Sequence, residues 1–241
     1  MDEWVAVVVP AGGSGTRMGK EVPKQFLRLG DVPVLIHALR VFESSRMIAE
    51  IVVVVPQDAV AYCQQELLPQ FALSKISSVT CGGARRQDSV WNGLQAVNER
   101  TNIVVVHDAV RPFVTGAMVE QVVERARTSG AAIAAIPLHD TVKRVTPDGM
   151  IETTLNRQRL WSAQTPQAFK LELLREAHRS SRQSGVEATD DAFLVEQIGH
   201  HVSIVNGSPD NIKITRPEDL VMGEAILRSE FQTQAPHTGA S

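Results

Sequence analysis

Two cations and a cluster of glycines stand together near the start of this chain. Residues 11–19 read Ala11-Gly12-Gly13-Ser14-Gly15-Thr16-Arg17-Met18-Gly19, and Lys24 follows in Pro23-Lys24-Gln25-Phe26. Ahead of them, Val5-Ala6-Val7-Val8-Val9-Pro10 is a short continuous apolar run, the pattern of a buried parallel strand. Glycine has no Cβ and tolerates positive φ, so a turn of this kind lets backbone N–H groups approach a ligand closely. With Arg17 and Lys24 at its mouth, the turn suits a phosphate-rich anion. A turn that merely joined two elements would need neither cation.

Two common phosphate motifs can be tested by counting. A P-loop requires Gly, four residues, then Gly-Lys-Ser/Thr; Ser14 stands where the first glycine belongs, and Glu21 where the hydroxyl belongs. A dinucleotide fingerprint, Gly-x-Gly-x-x-Gly, begins at Gly13-Ser14-Gly15 but meets Met18 at its third glycine. Both motifs fail, and the second failure disfavours a nicotinamide-dependent dehydrogenase.

The elements that must position these residues alternate. After the loop, Val34–Ser44 carries Leu35, Leu39 and Phe42 at helical spacing. Ile51–Pro56 reads as a second buried strand; Asp58 is a candidate helix cap and Pro69 a stop. Ser77–Cys81 is a short strand, and Arg85-Arg86-Gln87-Asp88-Ser89 opens a helix to about Arg100. Asn102–His107 is a nearly all-valine strand ending in Asp108-Ala109-Val110-Arg111-Pro112; Thr115 caps a helix to Ser129, and Ala131–Pro137 is a strand. Helices follow over 170–184 and 190–198, then a strand over 202–205 and a last helix from Pro217 to about Phe231. This alternation predicts an α/β, doubly wound, mostly parallel sheet, whose ligands bind at the carboxyl ends of strands. The loop at 11–24, Gly82–Ser89 and Asp108–Arg111 all fall there.

Residues 138–160 break the rhythm. Thr141–Val145 and Met150–Leu155 flank a Pro147-Asp148-Gly149 turn, a β-hairpin signal. A lone two-stranded hairpin is marginal in water, so a protruding β-arm that packs on another subunit is expected. Residues 1–231 read as one domain and 232–241 as a polar, disordered tail.

Composition restricts the partners. The chain has 241 residues and a formal net charge of −3, so neither general nucleic-acid nor anionic-membrane affinity is implied. Two cysteines, Cys63 and Cys81, argue against a disulfide framework and suit a cytoplasmic protein. No apolar stretch is long enough to span a bilayer. Met1 leads at once into the first strand, without a signal peptide. The adjacent His200 and His201 point to opposite faces if extended and read as surface residues. Trp91 and Trp161 read as packing.

Five separated segments, 11–24, 82–89, 107–112, 140–144 with Arg157, and 210–219, together resemble the 2-C-methyl-D-erythritol 4-phosphate cytidylyltransferases, within the sugar-phosphate nucleotidyltransferase superfamily. The resemblance implies a Rossmann-like fold, a homodimer joined through the arm, and transfer of CMP from CTP to methylerythritol phosphate in the non-mevalonate isoprenoid pathway. It places Ala11, Gly12, Gly13 and Gly15 over the triphosphate, with Arg17 and Lys24 at the phosphates. Gly83, Asp88 and Ser89 would hold cytosine and ribose, and Asp108 would lie near Mg²⁺ and the ribose with Ala109 beside it. Arg111 and Lys213 would contact the methylerythritol phosphate and the reacting phosphate. Thr141 and Arg157 would reach the substrate phosphate of the neighbouring subunit. Ala84 departs from the pattern, since some members carry an acid there.

The implied chemistry explains the cations. A phosphate monoester with a second pKa of about 6 is already largely ionised near neutrality, so no general base is required. The difficulty is bringing one polyanion to another, which positioning and charge stabilisation solve. Arg17, Lys24 and Lys213 are the candidate catalytic cations. Two other readings stand beside this one. Ribitol-5-phosphate cytidylyltransferases look similar in the first loop and around Asp108. A non-catalytic CTP-binding regulatory protein could share the fold, because fold does not fix function.

Overall fold

The computed structural model describes residues 4–12 and 23–234. A seven-stranded sheet forms its centre. Strand β1 (Trp4–Pro10) pairs in parallel with β4 (Ile48–Val55) and β6 (Thr101–Val106), and β4 pairs in parallel with β5 (Ile76–Cys81). Val5 to Val9 are fully buried, as an apolar run covered on both faces must be. The small hairpin of β2 (Arg28–Leu29) and β3 (Val32–Pro33) precedes helix α1 (Val34–Ser44), which buries Leu35, Leu39 and Phe42.

The other half of the sheet is mixed. Strand β7 (Ala131–Pro137) pairs in parallel with β11 (Ser203–Asn206), while β10 (Trp161–Lys170) lies antiparallel between β6 and β7. The full order is β11-β7-β10-β6-β1-β4-β5. Residues 161–165 are the start of the ten-residue β10. Pro166 cannot donate to a ladder, and the register with β7 shifts between Ala163 and Gln167. That break turns Gln164 and Thr165, both buried, away from regular pairing and toward the sheet end.

The helices cover both faces. Helix α3 (Arg86–Ala96) approaches β1 and β4 so closely that a Cβ on Gly93 would lie 2.3 Å from Val8 Cγ1. Helix α4 (Gly116–Ser129) starts where expected, with Thr115 Oγ1 accepting from Met118 N at 3.2 Å. Helix α5 is Leu171–Ser184 and α6 is Asp191–Gln197, the latter capped by Asp190 through Phe193 N at 3.0 Å. The last helix, α7 (Pro217–Gln234), runs past Phe231, so residues 232–234 are helical and do not belong to a disordered tail.

Two other expectations are corrected. Asp58 caps nothing: residues 57–70 are a chain of short turns, with α2 (Val60–Tyr62) between a 3₁₀ turn and a π turn over Cys63–Leu67. Helix α3 ends at Ala96, well before Arg100. The predicted hairpin is present as β8 (Lys143–Val145) and β9 (Ile151–Thr154), turning through Gly149 at φ +86°. All seven of its strand residues are exposed.

Candidate active site

The carboxyl ends of β1, β5 and β6 open into a cleft of about 380 Å³. Its walls come from Pro10–Gly12 after β1, Lys24 and Gln25, Gly83–Arg86 and Ser89 at the start of α3, Asp108–Val110 after β6, and Lys213. Backbone pairing continues beyond the strands and fixes these turns to one another. Ala11 N donates to Val54 O, Gly82 N to Val55 O, and Ala109 N to Pro10 O. Gln25 is buried and donates through Nε2 to Ala11 O at 2.6 Å, tying the segment after the glycine loop to the end of β1.

The β5–α3 turn is built around Ser89. Its hydroxyl accepts from Gly83 N and donates to Arg85 O, both at 3.1 Å. A Cβ on Gly83 would lie 2.4 Å from Asp88 Cβ, so the turn needs glycine there for space. Asp88 serves the start of the helix, accepting from Arg85 N at 3.3 Å and pairing with Arg85 Nε at 2.9 Å.

Asp108 is the electrostatic centre. Its Oδ1 pairs with Arg86 Nε at 2.9 Å and its Oδ2 with Lys213 Nζ at 2.7 Å; Arg111 Nε lies 4.0 Å from Oδ2. Burial alone would raise the Asp108 carboxyl, but Arg86 and Lys213 override it and hold the group well below the ordinary carboxylate range. Arg86 in turn reaches the fully buried Asp191, with Nη1 2.8 Å from Oδ2, and His178 Nε2 lies 3.1 Å from Asp191 Oδ1.

The turn that carries Asp108 is held from behind. Asp108 N donates to Thr165 Oγ1 at 3.0 Å, and Thr165 Oγ1 lies 3.1 Å from His107 Nδ1. His107 Nε2 sits 3.0 Å from Arg111 O, a carbonyl that can only accept, so Nε2 carries the proton and Nδ1 accepts from Thr165. Burial pushes His107 down to about 4, so the ring is neutral near pH 7. Arg111 Nη1 donates to Asn211 O at 2.7 Å, and Asn211 Nδ2 donates to Thr165 O at 2.8 Å. Ile214 N donates to Val110 O. These bonds anchor the irregular segment between β11 and α7 and bring Lys213 to the cleft.

A cleft of phosphate-sized turns, converging cations and one buried carboxylate is the arrangement expected for a nucleotidyl transferase. The family model IspD, 2-C-methyl-D-erythritol 4-phosphate cytidylyltransferase, matches residues 5–229. The chain belongs to this family. It is an enzyme family, and the chain is a cytidylyltransferase within it. The 2-C-methyl-D-erythritol 4-phosphate cytidylyltransferase of Syntrophus aciditrophicus (strain SB) is 47% identical over 226 residues, covering 94% of this chain and 97% of that protein. The crystal structure of 4-diphosphocytidyl-2C-methyl-D-erythritol synthase from Anaerococcus prevotii DSM 20548 superposes with a TM-score of 0.84 at 30% identity, covering 94% of this chain and 97% of that one. The cytidylyltransferase structure from Thermus thermophilus gives a TM-score of 0.76 at 37% identity, covering 93% of this chain and 99% of that one.

Against this IspD framework, the residues singled out from sequence divide into three groups. Ala11, Gly12, Lys24, Gly83, Ser89, Asp108, Ala109 and Lys213 all line the cleft. Gly13, Gly15 and Arg17 lie outside the described residues. The others are elsewhere. Asp88 is engaged with Arg85 beside the cleft, not in its wall. Arg111 is turned toward Asn211 behind Asp108. Thr141 and Arg157 sit on the exposed arm, where Arg157 Nη1 donates to His139 O. Lys213, which does line the cleft, is carried by the irregular segment between β11 and α7.

Sequence reasoning missed Arg86, Gln25, Thr165 and Asp191. Arg86 was the nearest to being legible, since it follows Arg85 at a helix start in a Gly-rich turn. Asp191 was hidden beside the capping Asp190, and nothing local marked it as a buried ion-pair partner.

Among the described residues, no group of three or more His, Cys, Asp or Glu side chains gathers as a protein cage for a metal. The cleft offers a single carboxylate, Asp108, whose Oδ1 is held by Arg86 and whose Oδ2 is held by the half-exposed Lys213; a lone carboxylate completed by water and substrate phosphates is a donor set that Mg²⁺ commonly uses. No helix among the described residues is long and apolar enough to cross a membrane.

Proposed function

We propose that the cleft carries the family's transfer of CMP from CTP to 2-C-methyl-D-erythritol 4-phosphate, releasing pyrophosphate, with the following division of labour. The backbone of Ala11 and Gly12, with Gly13 and Gly15 by sequence pattern, surrounds the triphosphate. Arg17 and Lys24 neutralise its charge. Gly83 and Ser89 hold the base and ribose through a turn whose shape their own hydrogen bonds fix. Asp88 acts on that turn from its outer side. Ala109 and Asp108 border the ribose. A phosphate oxygen of the acceptor attacks the α-phosphorus in line with the departing pyrophosphate, and Lys213 stabilises the charge gathering on the reacting phosphate. Arg111 supports Asp108 and the segment carrying Lys213.

Asp108 is the residue that would hold Mg²⁺, and the ion would supply charge neutralisation to the reacting phosphates. The observation that carries the reading is the meeting of Asp108, Arg86 and Lys213 at 2.7–2.9 Å in a cleft walled by glycine turns. The arm pairs two copies of the chain, and Thr141 and Arg157 reach the acceptor phosphate of the neighbouring subunit. Val145, Met150 and Ile151, more than half exposed on that arm, support the pairing. Cys63 and Cys81 are free thiols, which suits a reducing cytoplasm.

The test is pyrophosphate release with CTP, Mg²⁺ and methylerythritol phosphate, beside ribitol phosphate as acceptor and ATP, GTP and UTP as donors. Release that requires CTP and is fastest with methylerythritol phosphate supports the reading. Faster turnover of ribitol phosphate replaces the acceptor. CTP binding without release turns the protein into a nucleotide-binding regulator.

A further inference from the structure

We infer that Arg86 is a positioning residue for this transfer. It holds Asp108 through Oδ1 as a permanent countercharge, so that Lys213 can leave Oδ2 for substrate phosphate without stranding a buried carboxylate. The inference rests on the reaction proposed above.

Asp108 has two oxygens and two close cations, and the two cations differ in freedom. Lys213 is a compact ammonium on a flexible stem, with 38% of its side chain exposed. Arg86 is a planar fork gripped at both sides, by Asp108 at 2.9 Å and by Asp191 at 2.8 Å. Asp191 is itself fixed by His178. Arg86 therefore cannot follow a phosphate, whereas Lys213 can. Arg86 Nη2 is buried with no hydrogen-bond partner, so the guanidinium is oriented by its two acids and not by full use of its donors. With Lys213 in place, Arg86, Arg111 and Lys213 face Asp108 and Asp191; when Lys213 turns to phosphate, two protein cations still balance two carboxylates before any Mg²⁺ arrives, and Oδ2 is left open to it. Without Arg86, Asp108 would rely on Lys213 and the more distant Arg111, and a buried unpaired charge is strongly unfavourable. Lys213 would then be retained by Asp108 instead of being delivered to the substrate.

The experiment compares the parent with Arg86→Gln, the double variant Arg86→Gln/Asp191→Asn, and Arg86→Lys. The single glutamine variant strands Asp191, and its thermal midpoint falls. The double variant removes that stranded charge, so the midpoint recovers toward the parent. Its kcat is nonetheless expected to stay on the order of tenfold or more below the parent, with the KM for CTP changed less than about threefold, the signature of an interaction lost mainly in the transition state. In the substrate-free proteins, acylation of Lys213 by acetic anhydride, followed by mass spectrometry, should be several-fold slower in the double variant, because Asp108 holds that amine more tightly. Arg86→Lys keeps a cation between the two acids and should restore the acylation rate. Parental kcat and parental acylation in the double variant would overturn the proposal, as would slow acylation in Arg86→Lys. A parent that releases no pyrophosphate from CTP defeats the reaction assignment, while Lys213 acylation still decides the role of Arg86.

Discussion

At the cleft, Asp108 has Arg86, Lys213 and Arg111 around its carboxylate and Thr165 on its backbone, and Arg86 continues to Asp191 and His178. On the arm, β8 and β9 have their ladder and little else: Val145, Met150 and Ile151 are 55%, 65% and 64% exposed. Both regions grow from the same sheet, but one is completed by side chains from six different stretches of its own chain. The other presents apolar surface outward with nothing from the described residues over it. A polar network buried in low dielectric is costly unless its members are paired, so the cleft must be finished within the fold. A marginal hairpin gains most from a second surface. The cleft should therefore respond to mutation with large losses of stability or turnover, and the arm with changes in assembly.

The largest stability effect is expected at Asp191. Asp191→Ala leaves the largely buried Arg86 and His178 without their shared partner, and breaking a buried pair costs about 3–5 kcal/mol. Urea unfolding at pH 7 measures this. A loss below about 1 kcal/mol, the range of an exposed pair, would mean that the network is ornamental, and the contrast with the arm would collapse.

Turnover comes next. Lys213→Ala and Lys24→Ala are each expected to lower pyrophosphate release on the order of 100- to 1,000-fold. The fold should survive in Lys213→Ala because Arg86 still neutralises Asp108. Near-parental rates in both variants, with unchanged thermal midpoints, would remove the assigned role of the cations.

The pH response separates the two regions further. His107 is fully buried, and burial depresses its pKa to about 4. Between that value and the unfolded value near 6.5, the unfolded chain binds a proton that the native ring refuses. Stability is therefore complete above about pH 6.5 and declines as pH falls toward about 4, by roughly 3 kcal/mol from this group. Below that window, protonation of carboxylates held low by their cations, Asp108 and Asp191, adds to the loss. Urea unfolding across about pH 4–7 should show the slope, and His107→Gln, less stable throughout, should flatten it. A parental slope in that variant would place the titrating group elsewhere.

What could be read beforehand follows the same division. Val5–Pro10 and Asn102–His107 announced buried strands because continuous apolar runs have few other homes, and their carboxyl ends located the cleft. Lys24, Asp108 and Ser89 stood out because they sit beside glycine turns or at those strand ends. Local pattern could not reveal the Arg86–Asp191 pair, whose members are 105 residues apart and meet only through packing of α3 against α5 and of α5 against α6. Thr165 was unreadable for a related reason: its role comes from a register break beside Pro166 that places it behind Asp108. Asp58 looked like a cap by residue type, but the following residues wind through irregular turns that offer it no helix to cap.

The smallest effects should come from the arm. Val145 pairs with Ile151 across the hairpin, and both are exposed in the single chain, so Ile151→Asp removes no buried contact there; substitutions of that kind usually change stability by within about 0.5 kcal/mol. If the arm joins two copies, light scattering should nevertheless move from a dimer mass to that of one chain. The helical circular dichroism signal should be unchanged. The Kd for CTP, measured by calorimetry, should shift less than about threefold, because every described residue lining the cleft lies apart from the arm. The KM for the acceptor should rise, since Thr141 and Arg157 would no longer reach a neighbouring site. A dimer that persists in Ile151→Asp would place the assembly surface away from the arm, and a large loss of CTP affinity would show that the cleft is not finished within one chain after all.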